Sequence, residues 1–167
     1  KDIASILLCG ILSDTLILQS ATTTEIDIQT AEYLSNITNL DIQTLGKDLL
    51  SAASHIDGRT PQEVIRQDMK EYTEESLTYT VSQIEVDNPN EILLRKEQFL
   101  EELEMERRSR KAVLSALMVT DITKLTSLLV VATESTNEQF IDFPQQEDSV
   151  YILRDIVSRK KQLIPLL

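Results

Sequence analysis

Three consecutive basic residues near the end of the sequence, Arg159, Lys160 and Lys161, stand between Ser158 and Gln162. Arginine offers a planar fork of hydrogen-bond donors and lysine a compact positive charge, so the cluster suits a phosphate-like ligand. A solvated basic run near a chain end has the same composition. Both interpretations stay open on the pattern alone, and the acidity of the remaining chain favours a bound anion.

A second candidate for chemistry is Asp14, which interrupts the apolar stretch of residues 7–18. A carboxylate in apolar surroundings stays ionised only where a partner compensates its charge. That partner would be a metal ion, an arginine, or the backbone amides at the start of a helix. A capping or hydrogen-bonded aspartate fits the same pattern and, on the residues alone, is the favoured interpretation.

Three other residues are weaker candidates for a functional role. Lys70 stands at the start of a predicted strand and has the pattern of a surface residue. His55 is the only histidine, and one histidine cannot build an ordinary transition-metal site, so we expect it to be structural or exposed. Cys9 is the only cysteine, and its apolar neighbours predict a small buried side chain.

Bulk composition excludes several classes of protein. The 167 residues are 41% hydrophobic and 26% charged, as in an ordinary soluble domain. A net charge of −12 argues against general nucleic-acid binding, because such a protein repels a phosphate backbone. No apolar run is long enough to cross a bilayer, which argues against a membrane partner. A single cysteine and no secretory signal pattern predict a cytoplasmic protein.

The first third of the chain has the spacing of helices. Residues 3–17 are apolar on nearly every face and predict one buried helix. Thr24 is the predicted N-cap of a second helix and Asp41 of a third. Residues 54–61 contain one of only three glycines and predict a linker.

Beyond Pro61 the pattern changes to that of a sheet with helices. Thr60 and Pro61 open a predicted helix that runs to about Asp68. A strongly charged helix is predicted over residues 90–110. Short β-rich segments predict strands over residues 70–73, 77–86, 112–120, 127–133 and 150–153. Residues 112–120 and 127–133 are continuous β-rich apolar runs, which are typical of strands covered on both faces. The predicted fold class is therefore α/β, a mixed β-sheet flanked by helices and preceded by a helical segment.

Two stretches together resemble a known family. Residues 7–18, LLCGILSDTLIL, followed by residues 20–24, SATTT, resemble the last metal-ligand segment of manganese-dependent family II inorganic pyrophosphatases. These enzymes belong to the DHH phosphoesterase superfamily. Residues 157–162, VSRKKQ, resemble the SRKKQ signature of their DHH-associated C-terminal domain. The resemblance covers essentially the whole chain, and SRKKQ is its more specific motif.

The resemblance implies a domain layout. Residues 1–53 would be the C-terminal helices of a truncated DHH catalytic domain, residues 54–61 the linker, and residues 62–167 the DHH-associated substrate-binding domain. The DHH motif and the other metal ligands are expected upstream of Lys1. The resemblance therefore implies a C-terminal fragment that binds no metal by itself and is inactive alone.

The resemblance also implies roles for four residues. Asp14 is similar to a ligand of one of two manganese (or cobalt) ions. Arg159 and Lys160 are similar to the pair that grips the phosphates of pyrophosphate, and Lys70 to a further substrate-binding lysine. In the family, metals on the first domain activate a water for in-line attack, and cations on the second neutralise the phosphates.

The same resemblance leaves two alternative functions open. An exopolyphosphatase-type DHH phosphoesterase uses a related C-terminal domain, and a non-catalytic interaction module derived from such an enzyme would keep the fold.

The resemblance also implies that the helix of residues 3–18 would lack its usual packing partners. We therefore expect it to be covered by self-association, which would make a homo-oligomer, or by packing on the C-terminal domain.

Overall fold

The computed structural model describes residues 1–54, 56, 58–74, 76–134 and 141–167. The chain divides into two compact units, Lys1–His55 and Ile56–Leu167. The predicted α/β class is confirmed, because helices come first and a mixed sheet with flanking helices follows. The predicted linker, residues 54–61, includes two positions outside the described residues, and the expectation for His55 falls on one of them.

The first unit contains helices α1 (Asp2–Asp14), α2 (Glu25–Thr38) and α3 (Ile42–Ser54). Both predicted N-caps are confirmed. The Thr24 hydroxyl accepts from the Asp27 N–H, and the Asp27 carboxylate accepts from the Thr24 N–H at 2.8 Å, which forms a reciprocal capping box. Asp41 accepts a hydrogen bond of 2.8 Å from the Thr44 N–H at the start of α3.

The prediction of one helix over residues 3–17 is wrong at its end. Helix α1 ends at Asp14, and the Thr15 hydroxyl then accepts a hydrogen bond of 3.0 Å from the Leu18 N–H. A side chain that bonds nearby backbone in this way competes with the helical hydrogen bonds. Positive φ angles, which no right-handed helix has, follow at Leu16, Ile17 and Leu18.

The prediction that this helix is buried is also wrong. The unit buries only the face of α1 that carries Leu8 and Leu12. Three large apolar side chains are exposed by 75%, 70% and 55%: Ile3, Ile6 and Leu7. The sequence is apolar around the whole helix, but the surrounding residues of this unit cover only one side of it.

The second unit is a six-stranded sheet with helices. In chain order its elements are α4 (Pro61–Gln67), β1 (Met69–Glu74), β2 (Leu77–Val86), α5 (Asn90–Leu94), α6 (Lys96–Ser109), β3 (Leu114–Asp121), β4 (Thr126–Thr133), β5 (Gln145–Glu147) and β6 (Val150–Leu153). The strands lie in the order β1-β2-β3-β4-β6-β5. Only β2 and β3 pair in parallel among these neighbours. Helices α5 and α6 connect them, as a parallel pair requires.

The predicted elements of this unit differ from the observed ones in three places. One is the end of the chain, where two short helical turns, Arg159–Leu163 and Ile164–Leu166, were not predicted. The helix predicted over residues 90–110 is divided at Arg95, whose φ of −111° and ψ of 18° interrupt it, into α5 and α6. Strand β5 was not predicted, because its three residues, Gln145–Glu147, are polar and exposed and have no alternating apolar pattern.

Alternate residues of the sheet face two apolar layers. On one face, Leu117 and Val119 of β3 pack in a cluster with Phe99 of α6. On the other face, Ala116 and Met118 belong to a cluster that contains Leu163 from the end of the chain. All residues of β3 are buried, as predicted for a strand covered on both faces.

Ion pairs organise the polar side of α6. The Glu104 carboxylate accepts from the Arg107 guanidinium at 2.6 and 2.9 Å and from the Arg108 Nε at 2.5 Å. Hydrogen bonds from Arg107 above all, and from Arg108, lower the pKa of Glu104 from 4.5 to about 2. A carboxyl group with a lowered folded-state pKa stabilises the fold above its unfolded pKa, and this stabilisation disappears as the pH falls from 4.5 towards about 2.

Replacement of Glu104 by glutamine is expected to destabilise the second unit at neutral pH by roughly 1–3 kcal/mol, because a charged hydrogen-bonded pair is lost. The difference from the unchanged chain should shrink between pH 4.5 and about 2, where the unfolded chain binds a proton at this site. Urea unfolding at several pH values measures both effects. Glu101→Gln, at an exposed position of the same helix, is the control and should change stability little.

Candidate functional site

Two of the candidate residues, Arg159 and Lys160, lie within residues 157–163, hereafter the cationic segment. Gln162 folds its backbone, because the Gln162 Oε1 accepts from the N–H groups of Val157 and Ser158 at 3.0 and 2.9 Å. The Leu163 N–H donates to the Ser158 carbonyl at 3.2 Å, which closes one π-helical turn. Such turns are rare and frequently occur at functional sites.

Gln83 of strand β2 attaches the cationic segment to the sheet. Its Nε2 donates to the Val157 carbonyl at 3.0 Å, and its Oε1 accepts from the Arg159 N–H at 3.2 Å. The same amide group also donates to the Thr120 hydroxyl at 3.3 Å. A side chain with several such partners keeps one orientation, so the backbone at Arg159 is fixed relative to β2.

The Arg159 side chain is buried and lies against the first two strands. Its Nη1 donates to the Asp68 carbonyl and, at 3.1 Å, to the Val81 carbonyl. Its Nη2 donates to the Asp68 Oδ1 at 3.1 Å. Its Nε is buried and has no hydrogen-bond partner among the described residues. Arg159 is therefore a fixed cation, unlike a residue of a solvated basic run.

Lys70 is brought to the same part of the sheet. It lies on the edge strand β1, is exposed, and stands opposite Val81 in the antiparallel register. Directly opposed residues project from the same face of a sheet. Val81 belongs to the apolar layer that contains Leu163, so Lys70 projects from the face that carries the cationic segment. Within that segment, Lys160 and Lys161 are exposed beside the buried Arg159.

Asp14 has a different environment from the one predicted. It is the last residue of α1, in the first unit, and it is exposed to solvent. The expectation of a carboxylate in apolar surroundings is wrong, because the apolar neighbours in sequence point to other sides of the helix and turn. Within the described part of the chain, no three His, Cys, Asp or Glu side chains form a group that could hold a metal ion. A single carboxylate does not fit a manganese site by itself.

Two residues at the site were not found from the sequence. Asp68 was predicted only as the end of a helix, and Gln83 only as one position of a strand. Asp68 is 91 residues from Arg159 along the chain, and Gln83 is 76 residues from it. A polar Gln83 among the apolar positions of β2 was the one available signal.

No helix in the portion of the chain described by the structure combines the length and the hydrophobicity needed to span a bilayer.

The fold and the site together define an α/β domain that carries a cationic segment on one face of a mixed sheet. The chain belongs to the DHHA2 domain family, whose model matches residues 47–167.

Similar proteins have related names. The chain is 33% identical over 165 residues to proteins of Staphylococcus aureus strains JH9 and N315 that are named as manganese-dependent inorganic pyrophosphatases. These alignments cover 98% of this chain and 53% of each relative, so the chain spans about half the length of the curated relatives it matches. A Methanococcus jannaschii crystal structure, named as a family II inorganic pyrophosphatase, matches with a TM-score of 0.87 at 30% identity. That match covers 99% of this chain and 54% of the other.

Proposed function

We propose that this chain is the substrate-binding part of a manganese-dependent inorganic pyrophosphatase, a cytoplasmic enzyme that hydrolyses pyrophosphate to two phosphates. The observation that carries the proposal is Arg159, a buried cation fixed to Asp68 on the sheet face from which Lys70 projects. The names of the relatives support the reaction. The exposed Lys160 beside Arg159 supports the role of the cationic segment.

The proposed role is electrostatic. In the reaction, water attacks one phosphorus, the bridging P–O bond breaks, and negative charge develops on the departing phosphate. Arg159, Lys70 and Lys160 would lower the energy of that charge through hydrogen bonds and Coulomb attraction. Preorganisation matters here, since a cation already held in position needs no reorganisation when the charge develops.

The proposed metal ligand is Asp14, which would bind one manganese (or cobalt) ion as part of a larger ligand set. The ion would activate the attacking water. Asp14 offers one exposed carboxylate, and among the described residues it belongs to no group of three or more His, Cys, Asp or Glu side chains that could hold a metal ion. We therefore expect this chain, supplied with manganese, to have no pyrophosphatase activity by itself.

Lys160 and Lys161 provide a direct test of the proposed phosphate grip. Both are exposed neighbours of equal charge, so general attraction of the anion would weaken equally when either becomes alanine. If Lys160 contacts phosphate and Lys161 faces solvent, Lys160→Ala should raise the Kd for pyrophosphate roughly tenfold and Lys161→Ala much less. Titration of pyrophosphate into the purified chain, followed by NMR, measures both constants.

Two results of that titration would contradict the proposal. Equal effects of both substitutions would mean that the basic residues attract anions only through their net charge. Stronger binding of tripolyphosphate than of pyrophosphate would favour an exopolyphosphatase-type enzyme instead. Titration of each anion at several salt concentrations separates these cases, because salt weakens the general attraction more than a close contact.

We also propose that the exposed apolar face of α1 pairs with the same face of a second copy. Ile3, Ile6 and Leu7 are unfavourable in water, at about 1.5–3 kcal/mol for each large side chain left unburied. Sedimentation of the purified chain should show a homo-oligomer that Ile6→Glu dissociates. Asn36→Asp adds the same charge at an exposed polar position of this unit and should leave the oligomer intact. A monomer at high protein concentration would contradict this expectation.

A further inference from the structure

Asp68 holds the Arg159 guanidinium by two of its own atoms, the carbonyl oxygen and Oδ1. We infer that Asp68 is a positioning residue, which fixes Arg159 so that the Nε edge of the guanidinium is left for an oxygen of the bound phosphate. The inference rests on the proposed function. It adds the residue that orients Arg159 and the edge of the guanidinium that contacts the substrate.

The donor geometry of Arg159 determines which edge is available. A guanidinium can form paired hydrogen bonds through its Nη1/Nη2 end or through its Nε/Nη2 side. Nη1 donates to the Asp68 and Val81 carbonyls, and Nη2 donates to the Asp68 Oδ1. The hydrogens left over, on Nε and Nη2, lie along the side. The bidentate contact to phosphate is therefore assigned to the Nε/Nη2 side.

The Nε of Arg159 gives this assignment a second observation. It is buried and has no hydrogen-bond partner among the described residues, although a buried donor without an acceptor is unfavourable. The other side-chain nitrogens of Arg159 all have partners. A phosphate oxygen at this edge would accept a hydrogen bond from Nε. Binding would therefore be favoured, because this buried donor would no longer be without an acceptor.

The opposing effect of Asp68 is charge repulsion with the phosphate. Its side chain is 45% exposed, so water and salt screen that repulsion. Its contacts with Arg159 are direct, and its carbonyl also accepts from the Gln83 N–H at 3.2 Å, which joins Asp68 to the residue that fixes the Arg159 backbone. Positioning therefore outweighs repulsion, and removal of the Asp68 carboxylate weakens pyrophosphate binding.

The test uses Asp68→Ala and Asp68→Asn in this chain, with pyrophosphate titrated by NMR. Asp68→Ala should raise the Kd roughly tenfold, and Asp68→Asn by less because its side-chain oxygen still accepts from Nη2. The Arg159 Nε–H resonance should shift on addition of pyrophosphate in the unchanged chain and shift much less in Asp68→Ala. A purely structural role of Asp68 would not alter this resonance selectively.

Glu71→Ala is a matched control. Glu71 lies on the neighbouring strand β1, is 48% exposed, and pairs with Arg110 at 3.1 Å, the same distance as the Asp68–Arg159 ion pair. It carries the same charge, and its carboxylate is paired with Arg110 instead of Arg159. Its loss should leave the Kd and the Arg159 Nε–H shift unchanged, which separates positioning from the general effect of removing one negative charge.

A double substitution separates this inference from the proposed function. In Arg159→Ala, further change of Asp68 to alanine should not weaken binding again, because Asp68 acts through Arg159. If Arg159→Ala weakens binding but Asp68→Ala leaves it unchanged or tightens it, the positioning role is wrong and the proposed function stands. If Arg159→Ala binds pyrophosphate as the unchanged chain does, the proposed function fails and this inference fails with it.

Discussion

Under the proposed function, replacement of Arg159 by alanine is expected to lower kcat/KM for pyrophosphate roughly ten- to more than a hundredfold. The physical reason is the loss of a charge-assisted, partly desolvated contact with phosphate. Arg159→Lys should also be strongly impaired, because a point charge cannot reproduce a planar fork. A lysine ammonium has three donors, so the three contacts that Arg159 makes with Asp68 and Val81 would leave it none for the substrate. Steady-state kinetics with pyrophosphate measures these effects.

The buried position of Arg159 requires a stability measurement beside the kinetics. Arg159→Ala removes hydrogen bonds to the Asp68 and Val81 carbonyls, which should lower the free energy of unfolding by about 1–3 kcal/mol. A domain of ordinary stability, about 5–15 kcal/mol, stays folded after that loss. Unchanged kcat/KM in a folded Arg159→Ala enzyme would contradict the proposed role of the cationic segment.

Local signals in the sequence predicted most of the second unit. The capping residues Thr60 and Pro61 fix the start of α4, since the Thr60 hydroxyl accepts from the Glu63 N–H and proline needs no hydrogen-bond acceptor at that position. The apolar runs of β3 and β4 predicted buried strands because a strand covered on both faces has no polar side. Both kinds of signal depend on neighbours in the sequence, which is why they could be recognised without the fold.

The same reasoning failed where burial depends on the rest of the molecule. Ile3, Ile6 and Leu7 have the composition of buried residues, but the first unit contributes no layer to cover them. At the helix end, the Thr15 hydroxyl donates to the Ile11 carbonyl and accepts from the Leu18 N–H, and apolar spacing does not encode these hydrogen bonds. Hydrophobicity therefore predicted the helix α1 but not its environment.

The sequence likewise predicted one part of the candidate site and not the other. The basic residues of the cationic segment were visible in the sequence as a cluster, whereas the restraints on Arg159 were not. Asp68, which immediately precedes β1, contacts Arg159 because β1 pairs with β2 and the Arg159 guanidinium lies against Val81 of β2. The strand pairing therefore determines that Arg159 is fixed. The sequence pattern alone does not distinguish Arg159 from the exposed lysines that follow it.

Phe99→Ala is expected to have the largest effect on stability, a loss of about 3–5 kcal/mol in the free energy of unfolding. Phe99 is fully buried in the cluster that joins α6 to the sheet, and its ring also contacts the Arg95 guanidinium at 5.4 Å. Phe99→Leu fills most of the space and should lose much less. Chemical denaturation of the chain measures both changes.

The position of Phe99 also allows stability and binding to be separated. Phe99 packs on the face of the sheet opposite to the layer that contains Leu163 of the cationic segment. Where Phe99→Ala remains folded, its Kd for pyrophosphate should therefore match that of the unchanged chain. Arg159→Ala should show the reverse pattern, with a smaller loss of stability and a large loss of binding. If Phe99→Ala weakened pyrophosphate binding at a temperature where the domain is fully folded, the two faces would be coupled through the sheet, and the restraints from Asp68 and Gln83 would not be sufficient to hold Arg159.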